Sequence, residues 1–206
     1  MEGEVLSEKI FDVADRKCRG VYNLGSGVPV VFLHGFSFTS DVWQRTGVTT
    51  ALMEQQVPFL ALDMPYGFNS ECKPKTRNIE VNVNMTHEAV QQVFGSVAPL
   101  LVGASLGGHI ALQYAMRFPV KGLLLVAPVR VFEGALANSV ERWTFPVHII
   151  IGSKDRVTSL EELRDLAGRL GDAKLTVYEG AGHSAYHDSP DRFKRDLLEL
   201  YAAVQK

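Results

Sequence analysis

Five short, nearly unbroken apolar runs punctuate the chain: Val30-Val31-Phe32-Leu33, Phe59-Leu60-Ala61-Leu62, Leu100-Leu101-Val102, Leu123-Leu124-Leu125-Val126 and Val147-His148-Ile149-Ile150-Ile151. Such runs suit parallel strands covered on both faces. Between them lie stretches with helical spacing, at residues 41–55, 85–94, 106–118 and 160–170. The alternation predicts a doubly wound, mostly parallel sheet. Ahead of it, residues 9–22 read as an antiparallel hairpin around the polar turn Ala14-Asp15-Arg16-Lys17.

Near the end the helix signals are explicit. Ser159 with Glu162 makes a capping box, Gly171 is a stop, and Ser189-Pro190 supplies an N-cap followed by proline at the first helical position. One stretch is ambiguous. Val81-Asn82-Val83-Asn84-Met85 alternates like a strand, while Met85, Ala89, Val90, Val93 and Phe94 are spaced like a helix face; helix is the reading taken.

Length and composition narrow the class. At 206 residues, with 46% hydrophobic and 21% charged residues, the chain fits one soluble globular domain over residues 1–206. A net charge of -2 gives no broad footprint for nucleic acid or an anionic membrane, apart from a local basic loop carrying Lys73, Lys75 and Arg77. No run is long and apolar enough to span a bilayer, and the acidic N-terminus does not read as a signal peptide. Cys18 and Cys72 have no metal or C-x-x-C spacing, so a cytoplasmic location fits at least as well as secretion, and one disulfide between them stays open.

Gly103-Ala104-Ser105-Leu106-Gly107 matches G-x-S-x-G and sits between an apolar strand and a helix, where that motif has mechanical meaning. A serine hydroxyl is a weak nucleophile and must be exposed on a tight turn beside a base. The flanking glycines allow the close backbone approach such a turn needs, and the following helix aims its N-terminus at the site. Upstream, the run ending at Leu33 leads into His34-Gly35-Phe36.

Taken together these residues resemble the α/β-hydrolase family, over nearly the whole chain and in the family's motif order. The resemblance implies an oxyanion hole made by the backbone N–H groups of Phe36 and Leu106, with His34 structural. Of six histidines, His87 and His109 fall in predicted helices and His148 in a strand. His183 follows the β-like run at residues 175–178 and the loop Gly180-Ala181-Gly182, a placement that resembles the family's G-x-G-H loop. It is the expected base, with His187 as runner-up. The pair has the spacing of helix-borne zinc ligands, but Ser184 stands where glutamate is needed, so no metal is expected. Asp155 closes Gly152-Ser153-Lys154-Asp155 directly after an apolar run, as the family's acid does; Glu133 is its main substitute, and Asp63 looks structural.

Only residues 128–146 separate two strands where many relatives insert a helical lid, with room for a short helix at residues 136–141. The expectation is an α/β-hydrolase fold with no cap domain, its mouth shaped by loops carrying Phe36, Phe38, Met64, Tyr66, Phe68, Val131, Phe132 and Tyr186. Each of these side chains equally suits packing. Relatives often have glycine straight after the proline of the Asp63-Met64-Pro65 loop; here Tyr66 stands there, so substrate preference does not carry over.

The chemistry implied is cleavage of small or short-chain carboxylic esters through an acyl-enzyme, with no cofactor. The partners expected are a small ester or acyl substrate, no nucleic acid and no membrane, in a monomer or small homo-oligomer. Two alternatives stay open: amide or protein deacylation, acyl transfer or perhydrolysis by the same triad, and a non-catalytic binding module on a hydrolase scaffold.

Overall fold

A computed structural model describes residues 6–133, 143–171 and 173–205. The possible helix at residues 136–141 lies outside them. An antiparallel pair, β1 (Ser7–Val13) and β2 (Arg16–Asn23), leads into β3 (Val30–Leu33), β4 (Phe59–Leu62), β5 (Leu100–Ala104), β6 (Gly122–Val126), β7 (Val147–Gly152) and β8 (Lys174–Tyr178). These eight strands form one sheet in the order β1-β2-β4-β3-β5-β6-β7-β8. β2 runs antiparallel to β4, and every pairing from β4 to β8 is parallel.

The period of two in a pleated strand divides each apolar run between two cores. Val31, Leu33, Leu60, Leu62, Leu101, Leu123, Leu125, Ile149 and Ile151 face α3 (Ile79–Phe94), α4 (Leu106–Ala115) and α5 (Leu160–Arg169). Val30, Phe32, Phe59, Ala61, Val102, Leu124, Val126 and Ile150 face α1 (Asp41–Arg45), α2 (Val48–Glu54), α6 (Ala185–Asp188) and α7 (Pro190–Val204). Burying one such side chain is worth about 1.5–3 kcal/mol, which is why an unalternating run persists as a strand only with helices on both sides.

The helices depart from the sequence pattern in three places. The stretch at residues 41–55 is two short helices, because Gly47 adopts a left-handed φ of 73° and Thr46 Oγ1 donates to the Trp43 carbonyl at 2.9 Å. The ambiguous segment is helical from Ile79, six residues before Met85: Asn78 caps it through the Val81 amide, and buried Asn82 donates to the Asn78 carbonyl at 2.7 Å. A polar residue on the buried face is what mimicked alternation. The third departure is α4, which stops at Ala115 rather than Phe118.

The hairpin turn is also tighter than its polar sequence suggests, with Ala14 and Asp15 both at positive φ, 47° and 59°. Ser159 Oγ accepts from the Glu162 amide, as the capping pattern predicts. A disulfide joins Cys18 of β2 to Cys72 in the loop after β4. The same loop is tied to β2 by paired backbone bonds between Lys17 and Lys73. Among the described residues no helix is long and apolar enough to cross a membrane.

Candidate active site

The G-x-S-x-G turn shows why each residue type is required. A Cβ on Gly103 would lie 2.5 Å from the Gly107 carbonyl oxygen, and one on Gly107 would lie 2.2 Å from that of Leu33. Real Cβ atoms do not approach so closely, so β5, α4 and β3 meet here only through glycine. Between them Ser105 has φ 52° and ψ -115°, a strained conformation for a residue with a side chain. Its backbone is held from both ends: the N–H donates to the Val126 carbonyl, and the C=O accepts from Val129 and His109. Strain in one residue is thereby sustained by β6, its following loop and α4.

His183 and Asp155 lie on neighbouring loops, after β8 and β7. These loops are stitched together: Ser153 N–H donates to Tyr178 O, Lys154 N–H to Ala181 O, and Gly180 N–H to Ser153 Oγ. Gly152 permits the approach, since a Cβ there would sit 2.2 Å from the Gly182 carbonyl oxygen. The outcome is a continuous hydrogen-bonded line. Asp155 Oδ2 is 2.9 Å from His183 Nδ1, and His183 Nε2 is 2.9 Å from Ser105 Oγ.

The other carboxylate oxygen, Oδ1, accepts from the amides of Val157 at 2.7 Å and Thr158 at 3.1 Å. The Asp155 side chain is 1% exposed and that of His183 25%. With Nδ1–H directed at the carboxylate, Nε2 is free to accept from the serine hydroxyl.

The alternatives are placed elsewhere. Glu133 accepts from Arg130 Nε at 2.6 Å, which holds its carboxyl below the usual range. His187 lies beside Asp188 and the Phe38 ring. His34 is fully buried: its Nε2 accepts from the Met64 amide at 2.9 Å and its Nδ1–H donates to Gly35 O at 2.8 Å. Burial pushes its imidazole below the usual range, consistent with that neutral tautomer. Asp63, also buried, accepts from the Ser40 amide at 2.7 Å. Both fix the loop after β3. Among the described residues no three His, Cys, Asp or Glu side chains converge as metal ligands.

A cavity of about 200 Å³ opens over Ser105 and His183, walled by Phe36, Phe38 and Tyr186. Met64 and Val131 are wholly buried in the core, and Phe132 packs against it under the Arg169 guanidinium. Tyr66 donates its hydroxyl to the His34 carbonyl at 2.6 Å. Ser37 and Ser184 also line the cavity; the sequence marks neither as a wall of the site, and their only signal for that is adjacency to Phe36 and His183. α4 begins at Leu106, and the bond from His109 N–H to the Ser105 carbonyl starts its ladder, so its leading amides have no intrahelical acceptor.

Comparison with known proteins agrees with this architecture. Residues 30–147 match the model of the alpha/beta hydrolase family. Protein ABHD14A of Danio rerio is 29% identical over 177 residues, 85% of this chain and 64% of its own length, so the chain spans somewhat under two thirds of that relative. Human ABHD14B, named provisionally as a protein-lysine deacylase, is 28% identical over 181 residues, 85% of this chain and 84% of its own.

Among solved structures, a predicted CIB-like hydrolase from Thermoplasma acidophilum superposes with a TM-score of 0.84 at 22% identity, covering 96% of this chain and 98% of its own. The esterase EaEST from Exiguobacterium antarcticum gives 0.81 at 17%, covering 95% and 100%. The strand order, the glycine-framed serine turn and the family match over residues 30–147 place this chain in the alpha/beta hydrolase family.

Proposed function

We propose that the chain is a serine hydrolase of small or short-chain carboxylic esters, acting through an acyl-enzyme. The observation that carries this reading is the unbroken line from Asp155 through His183 to Ser105, with 2.9 Å at each link of the imidazole. Ser105 Oγ attacks the ester carbonyl as its proton passes to His183 Nε2. Asp155 keeps Nδ1 protonated and stabilises the imidazolium.

The carbonyl oxygen, now negative, is received by the N–H groups of Phe36 and Leu106. One such donor is worth on the order of 100-fold to 1000-fold in rate. His183 gives its proton to the departing alkoxide, and water activated by the same nitrogen releases the acid and restores Ser105. The cavity of about 200 Å³ suits a small acyl group.

Labelling with an active-site fluorophosphonate, followed by turnover of para-nitrophenyl acetate, tests the reading. Wild type is expected to label and turn over, and Ser105→Ala to do neither. Equal labelling of both would refute the nucleophile.

A second reading, deacylation of an amide such as an acyl-lysine, is favoured by the name of the human relative. It needs the same residues and differs in the leaving group. Hydrolysis of an acetyl-lysine peptide with kcat/KM above that of the aryl acetate would favour it, and product analysis with competing nucleophiles would expose acyl transfer.

A further inference from the structure

We propose that the cavity on the far side of Phe36 is a subsite for a carboxylate carried by the substrate, with Arg77 as the cation that reads it. This rests on the hydrolase reading and adds the substrate class. The cavity, of about 480 Å³, is larger than the one over Ser105 and shares Phe36 as a common wall. It is reached by the basic loop that net charge and motif leave unexplained.

Its lining combines the rings of Phe36, Tyr66 and Phe68 with Lys75, Thr76 and Arg77. The Arg77 guanidinium lies 4.8 Å from the centroid of the Phe36 ring. Stacked in that way, a guanidinium keeps its edge donors free to fork a carboxylate. Arg19, Arg117, Arg130 and Arg169 each pair with a carboxylate; among the described residues none pairs with Arg77 or Lys75.

Lys75 is anchored through its ammonium to the carbonyls of Gly67, at 2.5 Å, and Ser70. It adds positive charge to the cavity wall, with the buried Asp63 carboxylate near enough to act on it. Partial burial, and after it the nearby Lys73, lower the pKa of Lys75, against an opposing pull from Asp63. The loop between β4 and α3 carries two carboxylates, Asp63 and Glu71, against Lys73, Lys75 and Arg77. The position matters as much as the charge: Phe68 N–H donates to the Phe36 carbonyl at 2.7 Å, so the wall of this cavity is bonded to the residue whose own N–H is proposed to receive the oxyanion.

The test uses two matched pairs of esters. For an acyl-borne charge, para-nitrophenyl hemiadipate is compared with para-nitrophenyl hexanoate. For a charge on the leaving group, the acetate of a nitrophenol bearing a ring carboxylate is compared with ortho-nitrophenyl acetate. In at least one pair wild type is expected to favour the anion, and the ratio of kcat/KM values to fall about fivefold in Arg77→Met, with Arg77→Lys keeping most of it.

No preference in either pair, or an unchanged ratio in Arg77→Met, would overturn the subsite. An equal loss in Arg77→Lys would assign the effect to stacking on Phe36 and overturn it too. Binding of the hemiadipate ester to Ser105→Ala, followed by NMR, separates this from the hydrolase reading. It is expected to weaken about fivefold when Arg77→Met is added, whether or not Ser105 turns the ester over. Absence of Arg77-dependent binding sinks the subsite alone.

Discussion

Replacing Asp155 by Asn probes the line of hydrogen bonds with almost no change of shape. In the native site Oδ1 accepts from two amides, Val157 and Thr158, while Oδ2 faces His183 Nδ1 at 2.9 Å. An asparagine must keep its oxygen toward the two amides, since its NH2 cannot accept from them. Its NH2 therefore faces His183 Nδ1, which must become an acceptor. The imidazole proton moves to Nε2 and points at Ser105 Oγ, leaving no base for the hydroxyl proton.

A wrong tautomer in an otherwise intact triad costs about 10⁴ in kcat, or about 5.4 kcal/mol of transition-state stabilisation. KM should change little, since no substrate contact is altered. Steady-state release of para-nitrophenolate gives kcat, the fluorophosphonate labelling rate gives an independent measure of Ser105, and a thermal melt within a few degrees of wild type shows that the loop caps survive. A kcat within tenfold of wild type, together with a loss above 100-fold in Glu133→Gln, would refute the assignment.

Other consequences concern stability and pH. His148 accepts or donates at Thr176 Oγ1, 2.9 Å away, and burial lowers its pKa from 6.5 to about 4; His34 and His109 are lowered by burial as well. Because the unfolded chain binds these protons first, the stabilisation is present above pH 6.5 and is lost as pH falls toward 4. Urea melts at pH 7 and pH 4.5 are expected to differ by about 2 kcal/mol on His148's account, and His148→Gln to flatten that slope; an identical slope would refute it. Cys72→Ser, or reduction, opens the cross-link between residues 54 apart and is expected to cost up to about 4 kcal/mol, read as a fall in the urea midpoint that dithiothreitol reproduces in wild type. Gly107→Ala, whose Cβ would sit 2.2 Å from Leu33 O, should destabilise by about 3 kcal/mol; a urea midpoint equal to wild type would show that β3 and α4 can separate freely.

Much of the frame was legible along the chain because local physics wrote it there. Continuous apolar runs mark strands that must be covered twice, and glycines at positions 103 and 107 mark a turn where backbones touch. Ser105 needed no tertiary information: strand, turn and helix follow one another in sequence. Ambiguities and displaced element ends arose where a local signal served another role in the fold. Asn82 looks like a strand's polar position until its side chain is seen bonded within its own helix, and the helix break at Gly47 depends on one residue's φ.

The proposed base and acid were legible only as candidates. Asp155 and Glu133 both follow a strand end, and His183 and His187 are one helical turn apart. Their separation came from two loops laid side by side by the pairing of β7 with β8, which points Asp155 at His183 and leaves Glu133 on Arg130. The second cavity was invisible for the same reason. Phe36 and Arg77 are 41 positions apart, a basic stretch has no direction in sequence, and the disulfide to Cys18 is among the ties that hold the loop bearing Arg77 to the sheet. Sequence determines what can be buried and where the chain must turn, because those are properties of neighbours; which charges face one another is a property of pairs far apart, and it is settled only when the sheet closes between them.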